Sequence, residues 1–276
     1  MSLVSKLGGI IVLTAVAAAF LGPLVAPYDP SVQELPLRLA APSPDHPFGR
    51  DELGRDIVTR VLWGARVSLF VGMVVVSISA AAGILIGATT GYFGGWIDGS
   101  IGRVMDVLLA FPGILLAIAM VAVLGPSLGH VVLALSLIGW VGYARLVRGQ
   151  VLRARELEYV QAARAAGADS WRILFRHIIP TTVPAVLVQA ALGMAGAIVG
   201  EASLSFLGLG VQPPTASWGS MIDGGRAHLL DAPHLTVFPG VAMALLVLGF
   251  NFLGDGLRDA LDPTQRRTGS AVRPEA

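Results

Sequence analysis

The sequence predicts an all-α polytopic membrane protein with about six transmembrane helices, and three observations carry that prediction. Of its 276 residues 54% are hydrophobic and only 13% charged, against about 45–50% and about 25% in soluble domains. A soluble surface of this size cannot be covered with so few charges. Long stretches carry no charge at all, and a span needs about 20 mostly apolar residues. The 34 glycines fit as well, because glycine is commoner in membrane helices than in soluble ones. The net charge of +1 provides no field for nucleic acid or another polyanion, and the absence of cysteine excludes disulfides and thiolate metal sites.

Charged residues delimit the spans. None lies between Leu7 and Tyr28, which gives a first helix with a short N-terminal segment before it (residues 1–25). Lys6 ahead of an apolar run imitates a signal peptide, but the run exceeds a typical h-region, and it is expected to be retained. A second span lies within Val67–Ile97. From Asp106 to Arg145 an uncharged stretch is broken by Gly125-Pro126-Ser127; it is long enough for two helices joined by a tight turn. Ile178–Gly200 and Leu235–Gly254 supply the fifth and sixth. Residues 67–255 thus form a five-helix core and 256–276 a tail. Pro112 and Pro239 fall within spans and can kink them. Thirteen of the 19 cationic residues fall on the side holding both termini, among them Lys6, Arg103, Arg145, Arg164 and Arg258. Positive charge accumulates on the cytoplasmic side, so both termini are expected there. Arg50–Arg66 dissents and, interleaved with Asp51, Glu52 and Asp56, reads as an ordered, partly paired surface segment.

The outer loop 26–66 is proline-rich and becomes helix-like from Asp51, with Leu53, Ile57 and Val61 recurring every four residues, the pattern of an amphipathic interfacial helix. A second outer loop, 208–233, has the prolines and glycines of an ordered cap. The inner loop, about 156–179, is different. Glu156 to Ala166 is strongly helix-forming, Gly167 ends it, and Asp169-Ser170 can cap a new helix through Trp171. Such an elbow serves as a docking site or, as a basic loop, meets lipid headgroups. In the second span Ser79, Gly83, Gly87, Gly91, Gly95 and Gly99 recur every four residues, a small-residue face that favours close helix packing over a glycine-lined solute path.

Several chemistries are missing. The phosphate loop G-x-x-x-x-G-K-[ST] cannot exist here, because Lys6 is the only lysine. His46, His130, His177, His228 and His234 show no metal-ligand spacing, and neither a catalytic nor a metal site is expected. Energy for uphill transport would come from an ion gradient or another chain. Glu201, at the outer end of the fifth span, reads either as a substrate or proton site or as a carboxylate bonded to neighbouring backbone or a loop arginine.

Four segments together resemble one family. Gln161-Ala162-Ala163, then Gly167 and Ile179-Pro180, resemble the EAA motif of ABC importer permeases, with Gln161 for the usual Glu and Ile179 for the usual Leu. His46-Pro47-Phe48-Gly49-Arg50-Asp51 with Leu53-Gly54-Arg55-Asp56, then Glu201-Ala202-Ser203-Leu204-Ser205-Phe206-Leu207-Gly208, and Asn251-Phe252-Leu253-Gly254-Asp255-Gly256 resemble the dipeptide/oligopeptide/nickel permeases, the second-subunit type. The resemblance runs from about residue 10 to 265. It implies a type I importer permease fold, an ATPase-coupling loop at Gln161, Ala162, Ala163, Arg164, Gly167, Ala168, Asp169 and Trp171, and candidate pathway or gate positions at Glu201, Ser203 and Ser205. It also implies a heterodimer with a second permease, one or two cytoplasmic ATPases holding ATP and Mg, and an extracytoplasmic solute-binding protein. This chain would bind no cofactor itself, lie in a bacterial inner membrane, and form an alternating-access path for peptides or nickel chelates. An ion-coupled carrier, which leaves the elbow unexplained, and a non-transporting assembly subunit, for which the glycine stripe and the elbow would serve assembly only, are the alternatives.

Overall fold

The computed structural model describes residues 3–261. They form α1 (Leu3–Val25), α2 (Ile57–Phe93), α3 (Gly95–Ala110), α4 (Gly113–Leu124), α5 (Leu128–Ala154), α6 (Glu158–Ala165), α7 (Ser170–Ile173), α8 (Ile179–Phe206), α9 (Trp218–Gly225) and α10 (His234–Leu261). The expected basic tail with Arg266, Arg267 and Arg273, and the Asp262-Pro263 end of the last motif, lie outside the described residues. Five helices are long and apolar enough to cross a bilayer: α1, α2, α5, α8 with its lead-in from Ser170, and α10. The sixth span is broken, α3 and α4 meeting at 86°.

That break corrects the expected third span. The twelve residues of α4 reach about 18 Å, less than the hydrocarbon thickness of about 30 Å. Phe111, held extended before Pro112, ends α3, and Pro112 then caps α4. The proline separates two helices where a kink within one was expected. Asp106, expected to open the span, lies inside α3 and pairs with Arg145 of α5 at 2.5 Å.

A second correction concerns the outer segment. Asp51–Arg55 is a non-helical turn, and the apolar positions from Ile57 are the first turns of α2 itself. The Asp56 carboxylate caps that helix, accepting from the Thr59 N–H at 2.8 Å. With 37 residues, α2 is about 55 Å long, so its outer turns stand beyond the apolar slab.

The small-residue face of α2 sets the core. A side-chain carbon on Gly83 would lie 2.3 Å from Tyr143 Cβ, one on Gly87 2.4 Å from the Ala144 carbonyl, and one on Gly91 3.0 Å from the Arg148 carbonyl. Only hydrogen fits there, and α2 and α5 touch backbone to backbone. Gly95 and Gly99 do not share this contact: the helix ends at Phe93, Gly95 has a φ of +57°, and both have open space around them. Buried Val71, Val147, Val186 and Ala197 bring α8 onto the pair. The α1 and α10 helices pack on each other, Gly8 against Phe252 and Gly256 against Ser5, and share a second core with α2 and α8. Helix ends are thereby sorted. Ser5, Gly91, Val151 and Ile179 mark one end of the bundle with the elbow; Gly22, Leu62, His234 and α9 mark the other.

Candidate functional site

The elbow is built from two short helices and a defined stop. Gly167 adopts φ +79°; the Gly167 N–H donates to the Arg164 carbonyl at 3.0 Å and the Ala168 N–H to the Ala163 carbonyl at 3.1 Å. These two bonds are the Schellman arrangement that closes a helix. Asp169 then caps α7 by accepting from the Trp171 N–H at 2.9 Å. A π-helical stretch, Leu174–Ile178, leads into α8.

One face of the elbow is anchored. Val160, Ile173, Leu174 and Ile178 are buried in the core with Val151. The end of α2 is gripped as well. Arg155 donates to the Gly91 carbonyl at 3.2 Å, the Arg164 guanidinium lies 5.9 Å from the Tyr92 ring centre, and Trp171 meets Phe93 with 5.2 Å between centroids. The Gln161 side chain donates to the Arg155 carbonyl at 3.2 Å, a bond that the usual carboxylate could not make. The other face is bare: Ala162, Arg164, Gly167, Asp169 and Trp171 are exposed, and Ala163 and Ala168 half-buried.

At the opposite end the Arg50–Arg60 cluster is buried, not a surface segment as its charges suggested. Asp51 binds Arg55 at 2.6 Å and Arg60 at 3.3 Å. His46 stands between Asp56 at 2.8 Å and Arg50 at 2.7 Å, and Arg50 reaches Glu34 at 2.8 Å. Trp218 of α9 seats on Gly64 and donates to the Val61 carbonyl at 3.0 Å.

Glu201, Ser203 and Ser205 divide between two faces of α8. Glu201 is fully buried. It accepts from Ser205 at 2.7 Å, with the hydroxyls of Ser68 and Ser217 around the same carboxyl; no arginine reaches it among the described residues. Ser205 also accepts from the Val211 N–H at 3.3 Å. Both residues therefore fasten the second outer loop and α9 to the spans. Ser203 faces a cavity of about 580 Å³ between α2, α4, α5 and α8. That cavity has no charged side chain in its lining, and its polar groups are Ser79, Tyr143, Gln189 and Ser203. Tyr143 and Gln189 were not singled out from the sequence. The available signal was that Gln189 is the only side-chain amide between Ile179 and Glu201.

Residues 83–267 match the family described as the binding-protein-dependent transport system inner membrane component. The chain belongs to this family. It is a multi-pass inner-membrane permease subunit of a type I ABC importer, a class that works with a partner permease, an ATPase and a binding protein. Among its relatives is the glutathione transport system permease protein GsiD of Pectobacterium atrosepticum, 46% identical over 94% of this chain and 87% of that protein. The dipeptide transport system permease protein DppC of Alkalihalophilus pseudofirmus is 45% identical over 94% of this chain and 85% of its own. In fold, the chain resembles the permease in inward-facing crystals of the MetNI methionine ABC transporter. The TM-score is 0.58 at 18% identity, covering 74% of this chain and 96% of that one.

Proposed function

We propose that this permease passes peptides, glutathione among them, through a path it forms with a different second permease. The ATPases, one or two gene products, bind ATP and Mg on the elbow side, and this chain binds no cofactor. The names of the relatives support the solute class. Both termini lie in the cytoplasm on this reading, because most of the arginines accompany the elbow and positive charge favours that side.

The observation that carries the coupling assignment is the two-faced elbow, anchored inward by Val160, Ile173 and Leu174 and bare outward at Ala162, Arg164, Gly167, Asp169 and Trp171. A load applied to its outer face reaches Gly91–Phe93 through Arg155, Arg164 and Trp171. The backbone contact of α2 with α5 carries it on to Ser79 and Tyr143, which line the cavity. An interior packed this closely transmits displacement with little compliance.

The test is uptake of labelled dialanine and labelled glutathione into vesicles holding both permeases, the ATPases and the binding protein. ATP-dependent, vanadate-sensitive uptake is the expected result. Uptake that follows an ion gradient without ATP would overturn the reading in favour of a secondary carrier.

A further inference from the structure

The 580 Å³ cavity has the size of a small-molecule site, typically about 300–1,000 Å³, and its wall is neutral. Of the four polar side chains on it, three are committed to backbone. Ser79 donates to the Ser136 carbonyl at 3.4 Å, Ser203 to the Val199 carbonyl at 2.8 Å, and Tyr143 to the Gln189 carbonyl at 3.3 Å. Only the Gln189 side-chain amide makes no hydrogen bond among the described residues. It stands ten residues into α8, about 15 Å along the axis and near mid-membrane depth. A polar group there is costly unless something pairs with it.

Its surroundings keep the amide in the cavity. Gly142 of α5 leaves its Nε2 clear by 3.9 Å even for an added methyl, and Gly193 makes room for the Tyr143 hydroxyl beside it. A primary amide offers one acceptor oxygen and two donors. Those groups match the C=O and N–H of a peptide unit, which every peptide carries whatever its side chains. A wall without charge likewise does not discriminate by side-chain charge.

We propose that Gln189 is a solute contact of the transport path. Its Nε2 donates to a carbonyl oxygen of the passing peptide, and its Oε1 accepts a peptide N–H. This rests on the peptide-importer reading above and adds the group that holds the solute midway.

The experiment compares dialanine with its ester analogue, alanyl-lactate, in vesicles containing the complete complex, each solute saturating the binding protein. The ester lacks the N–H and has a weaker carbonyl acceptor. The unaltered complex is expected to move dialanine about tenfold faster than the ester, the value of one or two hydrogen bonds. Gln189→Leu is expected to slow dialanine about tenfold and the ester, which keeps only a weaker carbonyl acceptor, by much less. Equal slowing of both solutes would show that Gln189 serves packing or the partner permease, and would overturn the proposal; so would no slowing. Failure of the unaltered complex to take up dialanine at all would overturn the peptide reading first, and this one with it. A second measurement covers a Gln189→Leu chain that fails to assemble. The chain has no cysteine, so Gln189→Cys introduces its single thiol. Dialanine with ATP and loaded binding protein is expected to slow maleimide modification of that thiol, and modification indifferent to dialanine counts against the proposal.

Discussion

At the outer end of the bundle Arg50, Asp51, Arg55, Asp56 and Arg60 are buried and bonded among themselves. At the elbow, Arg164, Asp169, Trp171 and Arg172 are exposed, and the anchors are the apolar inner face and the contacts with the end of α2. Each end has charges and glycines at positive φ, yet they are put to opposite uses. The outer charges pair largely with one another, only the Arg60 Nε lacking a hydrogen bond among them, which suits a rigid rim. The elbow leaves Arg164, Asp169 and Trp171 exposed on a face that something else can cover, even where they also touch the end of α2. Substitutions should therefore separate the two ends: stability without coupling at one, coupling with little stability at the other.

The largest effect should come from Asp51→Ala. It leaves Arg55 and Arg60 buried with their shared carboxylate gone, and breaking a buried pair from one side costs about 3–5 kcal/mol. Thermal unfolding of the purified complex should shift down strongly, while the complexes that survive keep the normal ratio of solute moved to ATP hydrolysed. A changed ratio with unchanged stability would place the coupling function at the wrong end.

Two glycines with nearly the same backbone sharpen the contrast. Gly54 has φ +76° and Gly167 φ +79°. A methyl on Gly54 would sit 2.1 Å from the Glu34 carbonyl, whereas one on Gly167 meets open space. Gly54→Val thus adds a clash to the conformational penalty, about 2–3 kcal/mol together. Gly167→Phe carries only the penalty, about 1–2 kcal/mol, and is expected to leave the spans assembled yet uncouple ATP hydrolysis from uptake. Normal transport by Gly167→Phe would refute the docking role of the elbow.

Much of this contrast was legible from residue types. The uncharged runs placed five spans, because a bilayer enforces length, and Gly167 with Asp169 marked the elbow, because helix stops and caps are local chemistry. What required the third dimension were choices between equally apolar or equally charged alternatives. The length of the run after Asp106 allowed a full span, and only the 86° turn at Phe111–Pro112 shows it divided. The Arg50–Arg60 charges alternate as on a surface, and their burial depends on His46, Glu34 and Pro30 folding back over them. Glu201 and Ser205 stand on one face of α8 and Ser203 on another, a distinction of helical phase that proximity in sequence conceals. Gln189 was visible as a lone amide, but its lack of a partner was not.

The smallest expected effect concerns Gln161, which stands where the resemblance gives a glutamate. Its amide N–H₂ holds the Arg155 carbonyl at the close of α5, and Gln161→Glu removes that donor. Because Gln161 is exposed, water replaces the lost bond, and the cost lies at the low end for a hydrogen bond, about 0.5 kcal/mol. The new carboxylate would sit within one turn of Arg164, on the same helical face at i, i+3, a pairing of about 0.2–0.5 kcal/mol in the opposite sense. The two nearly cancel. Unfolding temperature and the ratio of transport to ATP hydrolysis should therefore both stay close to the unaltered values at moderate salt. A clear gain in coupling on Gln161→Glu would mean that a carboxylate at this position contacts the ATPase directly, and that the elbow's outer face extends one helical turn further than Ala162 and Arg164.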